Sequence, residues 1–111
     1  MKISTRQSEG ASILELAGEL DMETSVAFRK NLQSVLKSGV KTVIIDLGGV
    51  RYMDSSGIAT LVEGYQVSYK GSISFFLVGM RERVRKVFEL ASLIDFFQIY
   101  DSVDDALMTT K

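Results

Sequence analysis

The sequence has no cysteine, no histidine and no proline. Without cysteine there is no disulfide framework, no thiolate zinc site and no thiol nucleophile. That is compatible with a reducing compartment. Without histidine, no Ser-His-Asp triad can be built on any serine, Ser55 included. A lysine base is not offered either, since no Ser-x-x-Lys arrangement starts at Ser55 or Ser56. A metal would have to be held by carboxylates alone, and no spaced acidic loop of the EF-hand kind is present. No catalytic residue, metal or cofactor is therefore expected.

Other features are present only weakly. The formal net charge is −1, so no overall field favours nucleic acid or an anionic membrane. No apolar run is long enough to cross a bilayer, and residues 1–6 lack the apolar core of a signal peptide. With no proline and no low-complexity tract there is no sign of a linker. The 111 residues read as a single domain, 1–111, and 46% hydrophobic composition can supply its core.

The most informative stretch is Val43 to Tyr65, VIIDLGGVRYMDSSGIATLVEGY. Val43-Ile44-Ile45, ending in Asp46-Leu47, reads as a strand buried on both faces. Gly48-Gly49 is expected to break it. A connection then reaches Asp54-Ser55-Ser56-Gly57. Ile58, Leu61, Val62, Tyr65 and Tyr69 follow at the spacing of one helix stripe. Asp and Ser are favourable N-caps, worth about 1 kcal/mol, because a short side-chain oxygen accepts from an orphan N–H of the first turn. One cap needs one residue, and three polar candidates stand in a row here. Gly57 is expected to let the backbone bend and leave the hydroxyls uncovered.

Around this stretch the chain alternates. Residues 2–7 and Ala11–Leu16 suit an antiparallel edge hairpin about a turn at Ser8-Glu9-Gly10. Gly18 to Asp21 is expected to leave the strand. A helix is expected from Glu23 to Leu36, with Thr24 or Asp21 as its cap and Phe28, Leu32, Val35 and Leu36 inward. A strand at Thr42–Leu47 and a helix at Ser55–Tyr69 come next. Then follow a strand at Ser72–Val78, a helix over 81–91, a short strand at Phe97–Tyr100 and a last helix at Ser102–Thr109 capped by Ser102. This order implies an α/β fold: a mixed, mostly parallel sheet with an N-terminal edge hairpin and four helices packed mainly on one face. The adjacent phenylalanines, Phe75-Phe76 and Phe96-Phe97, cannot all point the same way. Arg81, Arg83, Arg85 and Lys86 form a basic cluster, read as a solvated helix face in preference to a phosphate grip.

A strand ending in Asp-Leu, then apolar-x-Met-Asp-Ser-Ser-Gly, then an apolar helix resembles the STAS family (sulfate transporter and anti-sigma-factor antagonist). Within it the chain is most similar to the small, single-domain bacterial anti-sigma-factor antagonists. Leu16-Ala17-Gly18-Glu19-Leu20-Asp21 resembles the family's L-x-G-E-L-D. The resemblance covers nearly the whole chain. It implies a STAS-like fold and a cytoplasmic, bacterial, non-enzymatic protein-binding switch. It implies that Ser55, with Ser56 less favoured, is phosphorylated by a partner serine kinase that is also the anti-sigma factor. The unphosphorylated form would bind that kinase and release a sigma factor, and a PPM-type phosphatase would reset the cycle. Met53, Asp54, Ser55, Ser56 and Gly57 would form the partner-binding surface. Asp21 would stand at its rim, a reading that competes equally with a plain helix cap. One departure is Ala59, where the family often has glycine after the apolar residue.

Three other readings are open to such a chain. A STAS domain can serve as a regulatory or scaffold part of a transporter or signalling assembly without switching. An enzyme using Ser55 as nucleophile would lack a base. Nucleotide binding at residues 48–57 would need a phosphate-loop pattern, which Gly48, Gly49 and Gly57 do not make.

Overall fold

Two residues with positive φ, Glu9 (51°) and Gly10 (83°), turn the chain back on itself. This is the two-residue geometry whose twist suits a hairpin, and glycine adopts it without strain. It joins β1 (Lys2–Ser8) to β2 (Ala11–Leu20) in an antiparallel register that pairs Ser8 with Ala11 and Lys2 with Ala17. A computed structural model describes residues 1–110. After the hairpin come α1 (Thr24–Leu36), β3 (Thr42–Met53), α2 (Ser55–Lys70), β4 (Ser74–Val78), α3 (Glu82–Leu90), β5 (Gln98–Tyr100) and α4 (Val103–Met108). The sheet order is β1-β2-β3-β4-β5, with every pair after the first parallel. The expected mixed α/β sheet with an edge hairpin is thus the observed one.

Alternation divides the strand side chains between two faces. Leu14, Leu16 and Leu20 of β2, Val43, Ile45, Leu47, Val50 and Met53 of β3, and Phe75 and Leu77 of β4 point to the main core. There they meet Phe28 and Leu32 of α1, Ile58 and Leu61 of α2, and Val84 and Phe88 of α3. Ala11, Ile13, Ile44, Phe76 and Val78 point the other way and are covered by Ala106 and Leu107 of α4. Three helices therefore lie on one face and the shortest lies on the other. Phe75 and Phe76 split between the two cores. Phe97 is buried, whereas Phe96 lies at the surface with its ring 4.8 Å from that of Tyr65.

The structure corrects the sequence reading at three places. Gly18 to Leu20 does not leave the strand, and Gly48-Gly49 does not end β3. Both strands run on, to Leu20 and Met53, with register shifts between Glu15 and Ala17 and between Gly18 and Glu19. Gly49 makes this possible, since a Cβ there would lie 2.7 Å from the Leu16 carbonyl oxygen. The third correction concerns α2, where Tyr69 is 76% exposed although it continues the apolar stripe. The face of α2 that packs most deeply includes Gly57, Leu61, Gly64 and Ser68. A Cβ on Gly64 would meet Leu32 Cδ2 at 2.7 Å, so the small residues let α2 sit close to α1.

Candidate functional site

The extended strands carry the chain to one end of the sheet, where the site is built. Leu20 pairs with Met53 in the last rung of the β2–β3 ladder. One residue further on, the Asp54 N–H donates to the Leu20 carbonyl at 3.1 Å. Asp21 and Ser55, which follow those two residues, therefore leave the sheet side by side. Loops and helix starts beyond the carboxyl ends of parallel strands are the usual place for a site in such a sheet.

Asp54 is the N-cap of α2. Its backbone is extended, its Oδ1 accepts the Ser56 N–H at 2.9 Å, and its carbonyl accepts the N–H groups of Gly57 and Ile58. That arrangement satisfies donors that a helix start otherwise leaves unpaired. It also leaves Ser55 at the first helical position with an exposed side chain. Ser56 is half-buried, and its carbonyl accepts the Thr60 hydroxyl at 3.0 Å. Of the two serines, Ser55 is the one displayed.

Asp21 performs the corresponding task for α1. Its Oδ1 accepts the N–H groups of Glu23 and Thr24, each at 3.0 Å. In return, the Thr24 hydroxyl oxygen accepts the Asp21 N–H at 2.9 Å. The Thr24 backbone N–H, more than any other group, holds the Asp21 carboxyl below the usual carboxylate range. Asp21 thus binds the backbone N–H groups at the entry to α1, whose N-cap residue Glu23 makes no side-chain cap bond, and it leaves the sheet beside Ser55.

Two of the expected contact residues are placed differently. Met53 is 2% exposed and belongs to the main core, so it supports the rim from beneath and offers no surface to a partner. Gly57 is buried as well. A Cβ there would lie 2.8 Å from both Leu20 Cγ and Met53 Cγ. Its glycine identity serves the close seating of α2 on the strand ends, and no bend in the backbone uncovers the hydroxyls.

Residues that the sequence reading passed over complete the surface. Met22, just ahead of α1, is 76% exposed, and Val26, in its first turn, is 56% exposed. Ser25, Val26 and Arg29 of α1 face Ser56, Ala59, Thr60 and Glu63 of α2 across an open groove of about 320 Å³. Arg29 Nε donates to Glu63 Oε1 at 2.9 Å and braces the two helices. The available signal was that Met22 and Val26 fall off the Phe28-Leu32-Leu36 stripe, so they are apolar residues with no place in the core. The basic cluster is dispersed. Arg83, Arg85 and Lys86 are exposed, Arg85 lying 3.9 Å from Glu89, while Arg81 reaches back to donate to the Gly48 carbonyl at 2.8 Å.

No helix among the described residues is long and apolar enough to cross a membrane. No group of three or more Asp or Glu side chains among them could hold a metal ion.

The family model of the STAS domain matches residues 2–106. The chain belongs to the STAS domain family. Among curated relatives, this STAS domain is similar to the "anti-sigma-B factor antagonist" of Staphylococcus aureus (strain NCTC 8325), with 22% identity over 104 residues, 94% of this chain and 96% of the relative. Among solved structures it is similar to an anti-sigma factor antagonist from Mycobacterium paratuberculosis, with a TM-score of 0.90 and 26% identity. That match covers 97% of this chain and 92% of the other. It also shares its fold with the Bacillus cell-fate determinant SpoIIAA in the phosphorylated form, with a TM-score of 0.76, 20% identity, and coverage of 99% of this chain and all of the other. In this STAS domain the motif Asp54-Ser55-Ser56-Gly57 is the cap and first turn of α2.

Proposed function

We propose that this STAS domain is an anti-sigma-factor antagonist whose binding is switched by phosphorylation of Ser55. The observation that carries the reading is the placement of Ser55: an exposed hydroxyl at the first position of a rigid helix, flanked by Asp54 and by a rim that includes exposed Met22 and Val26. The names of the relatives support the same reading.

The binding-competent state would be unphosphorylated. A partner, an anti-sigma factor with serine kinase activity, would cover Ser55, Ser56, Ala59 and the apolar start of α1. Phosphorylation adds roughly −1.5 to −2 charge beside Asp54 and Asp21. A helix N-terminus tolerates an anion. Here, however, Asp54 Oδ1 already takes the Ser56 N–H, so the new group meets a standing carboxylate. An interface closed over Ser55 would bury that charge without a partner, at a cost of several kcal/mol. Each 1.4 kcal/mol is tenfold in affinity, so release follows with no change of fold. A PPM-type phosphatase would restore the binding form. The domain is the substrate and the switch in this scheme, not a catalyst, and Ser55 has no histidine anywhere in the chain to activate it.

The test is intact-mass and peptide mass spectrometry of the protein isolated from its own cells, beside a Ser55→Ala variant. One added phosphate, mapped to Ser55 and absent from the variant, is expected. A single unmodified mass under every growth condition tried would overturn the switch.

A further inference from the structure

The helices leave part of the sheet bare. On the α4 face, Ala11, Ile13, Ile44, Phe76 and Val78 are covered by Ala106 and Leu107. Along β2 the same parity continues through Glu15 to Ala17, which is exposed. The register places Lys2, Ala17 and Gly49 in one row across β1, β2 and β3. This row is the floor of an open basin of about 450 Å³, lined by Met1, Lys2, Ala17, Gly18, Gly49, Arg51 and Arg81. Ala17, Gly18 and Gly49 leave the centre of the floor with little side-chain bulk, and the two glycines cannot easily be replaced. Gly18 has φ +110°, and a Cβ on Gly49 would lie 2.9 Å from Ala17 Cβ.

The walls of the basin are cationic. Lys2, Arg51 and Arg81 line it, and no carboxylate does. None of the three makes an ion pair among the described residues, where the pairs are Arg6–Glu15, Arg29–Glu63 and Arg85–Glu89. Glu15 and Asp46 border the same floor, in an adjoining hollow that shares Lys2, Ala17 and Gly49, and both have partners. Glu15 lies 3.6 Å from Arg6, and Asp46 Oδ1 accepts the Gly48 N–H at 2.9 Å. Arg81 is held over the basin by its own bond to the Gly48 carbonyl. In a chain of net charge −1, Lys2, Arg51 and Arg81 make the end of this patch nearest Gly18 and Arg51 cationic, with Glu15 and Asp46 at its other end.

We propose that this basin docks an acidic, extended segment of a partner protein. The charge calls for carboxylates. The shallow, open shape suits a chain laid across strands better than a small molecule enclosed in a pocket. Arg presents a planar fork that matches carboxylates in pairs. The surface lies on the opposite face of the sheet from α2, so it does not overlap the Ser55 rim, and it stands whether or not Ser55 is modified.

The test is an amide chemical-shift titration of the labelled protein at low salt with a capped peptide of alternating Glu and Asp. The shifts are expected to concentrate at Lys2, Ala17, Gly18, Gly49 and Arg51 and to fade as salt is raised. Arg51→Glu and Lys2→Glu are each expected to weaken binding about tenfold or more, and Arg83→Glu, outside the basin, to leave it unchanged. These single reversals carry the test even if Arg81→Glu, which breaks the bond to Gly48, disturbs the fold. Shifts spread equally over Arg83, Arg85 and Lys86 would overturn the proposal. So would pyrophosphate shifting the same amides at a tenth of the peptide concentration, which would make the basin a phosphate site, or no shift at millimolar peptide.

Discussion

The Asp54 N–H donates to the carbonyl of Leu20 at 3.1 Å, and this bond ties the start of α2 to the end of β2. It is the junction at which two sequence motifs, Leu16 to Asp21 and Met53 to Gly57, become one surface. It also makes Asp54 more than a cap, because the same residue fixes the height at which Ser55 leaves the sheet. Asp54→Ala removes the oxygen that accepts the Ser56 N–H and is expected to cost about 1 kcal/mol. The measurement is the urea midpoint, with the denaturant slope unchanged. A midpoint equal to wild type would show that the cap contributes nothing here.

Gly57→Ala separates two effects of opposite sign. Alanine in a helix is favoured over glycine by about 1 kcal/mol. At Gly57, however, the added methyl would lie 2.8 Å from Leu20 Cγ and Met53 Cγ, and these are inner atoms of buried side chains, not free ends. Overpacking of that kind costs about 1–3 kcal/mol. The expected net result is a destabilised protein, read as a lower urea midpoint, with α2 lifted from the strand ends. A stabilised Gly57→Ala protein would mean that Leu20 and Met53 repack freely.

Asp21 gives the domain an acid-sensitive contact. Its carboxyl is held below the usual range by the Thr24 N–H first, and by the Thr24 hydroxyl and Glu23 N–H in addition. A folded-state pKa that is lowered contributes stability above the unfolded value, near 3.9, and loses it as pH falls through the folded one. Asp21→Asn is therefore expected to be less stable than wild type at neutral pH, with the gap closing below about pH 4. Thr24→Ala removes the hydroxyl but keeps the N–H, so most of the lowering should persist in a carboxyl titration followed by NMR. A gap that widens on acidification would contradict the assignment.

How much of this was legible in the sequence depends on which interaction decides each element. The helix starts were, because Asp21, Asp54 and Ser102 act through hydrogen bonds only a few residues away. The hairpin was too, since a turn containing glycine sets its own register. The full length of β3 was not. Gly48-Gly49 carries a local signal to stop, and the reason to continue is the closeness of Leu16 and Ala17 on a neighbouring strand. Tyr69 failed for a related reason: it has the spacing of a core residue, but the packing of α2 follows Gly57 and Gly64, which carry no hydropathy signal. Met53 stood beside the motif serines in sequence, yet as the last inward residue of β3 its side chain had to enter the core. Met22 and Val26 stood off the Phe28-Leu32-Leu36 stripe in sequence, but only the packing of α1 against α2 shows that Val26 borders the groove beside Ser56.

Gly48 and Gly49 are adjacent and differ in what surrounds them. A Cβ on Gly49 would meet the Leu16 carbonyl oxygen at 2.7 Å, a backbone atom that cannot rotate away. On Gly48 the nearest atom would be Asp46 Oδ1 at 3.1 Å, the end of a side chain that can shift. Gly49→Ala is therefore expected to cost about 1–3 kcal/mol as the β2–β3 ladder gives way, and Gly48→Ala clearly less. Thermal or urea unfolding of the two variants side by side gives the ranking. The reverse order would show that the Asp46 bond to Gly48 matters more than the register shift beside Gly49.

Ser55→Glu tests whether charge at the switch position acts through the interface or through the fold. Ser55 is exposed, and its side chain makes no hydrogen bond among the described residues, so replacing it removes no contact of the folded domain. The new carboxylate gains from the helix N-terminus, about 0.3–1 kcal/mol where unopposed. It loses to Asp54, whose Oδ1 already sits on the Ser56 N–H. The two terms are of similar size, so the stability is expected to stay within about 1 kcal/mol of wild type. Binding to the partner is expected to fall far more, because a charge sealed in an interface lacks the water that screens it on the free protein. Glutamate carries less charge than a phosphoserine, so its effect on binding is a lower bound. Unfolding midpoints and partner capture, measured on the same preparations, distinguish the two routes. A variant that loses binding only in proportion to lost stability would place the switch in the fold itself.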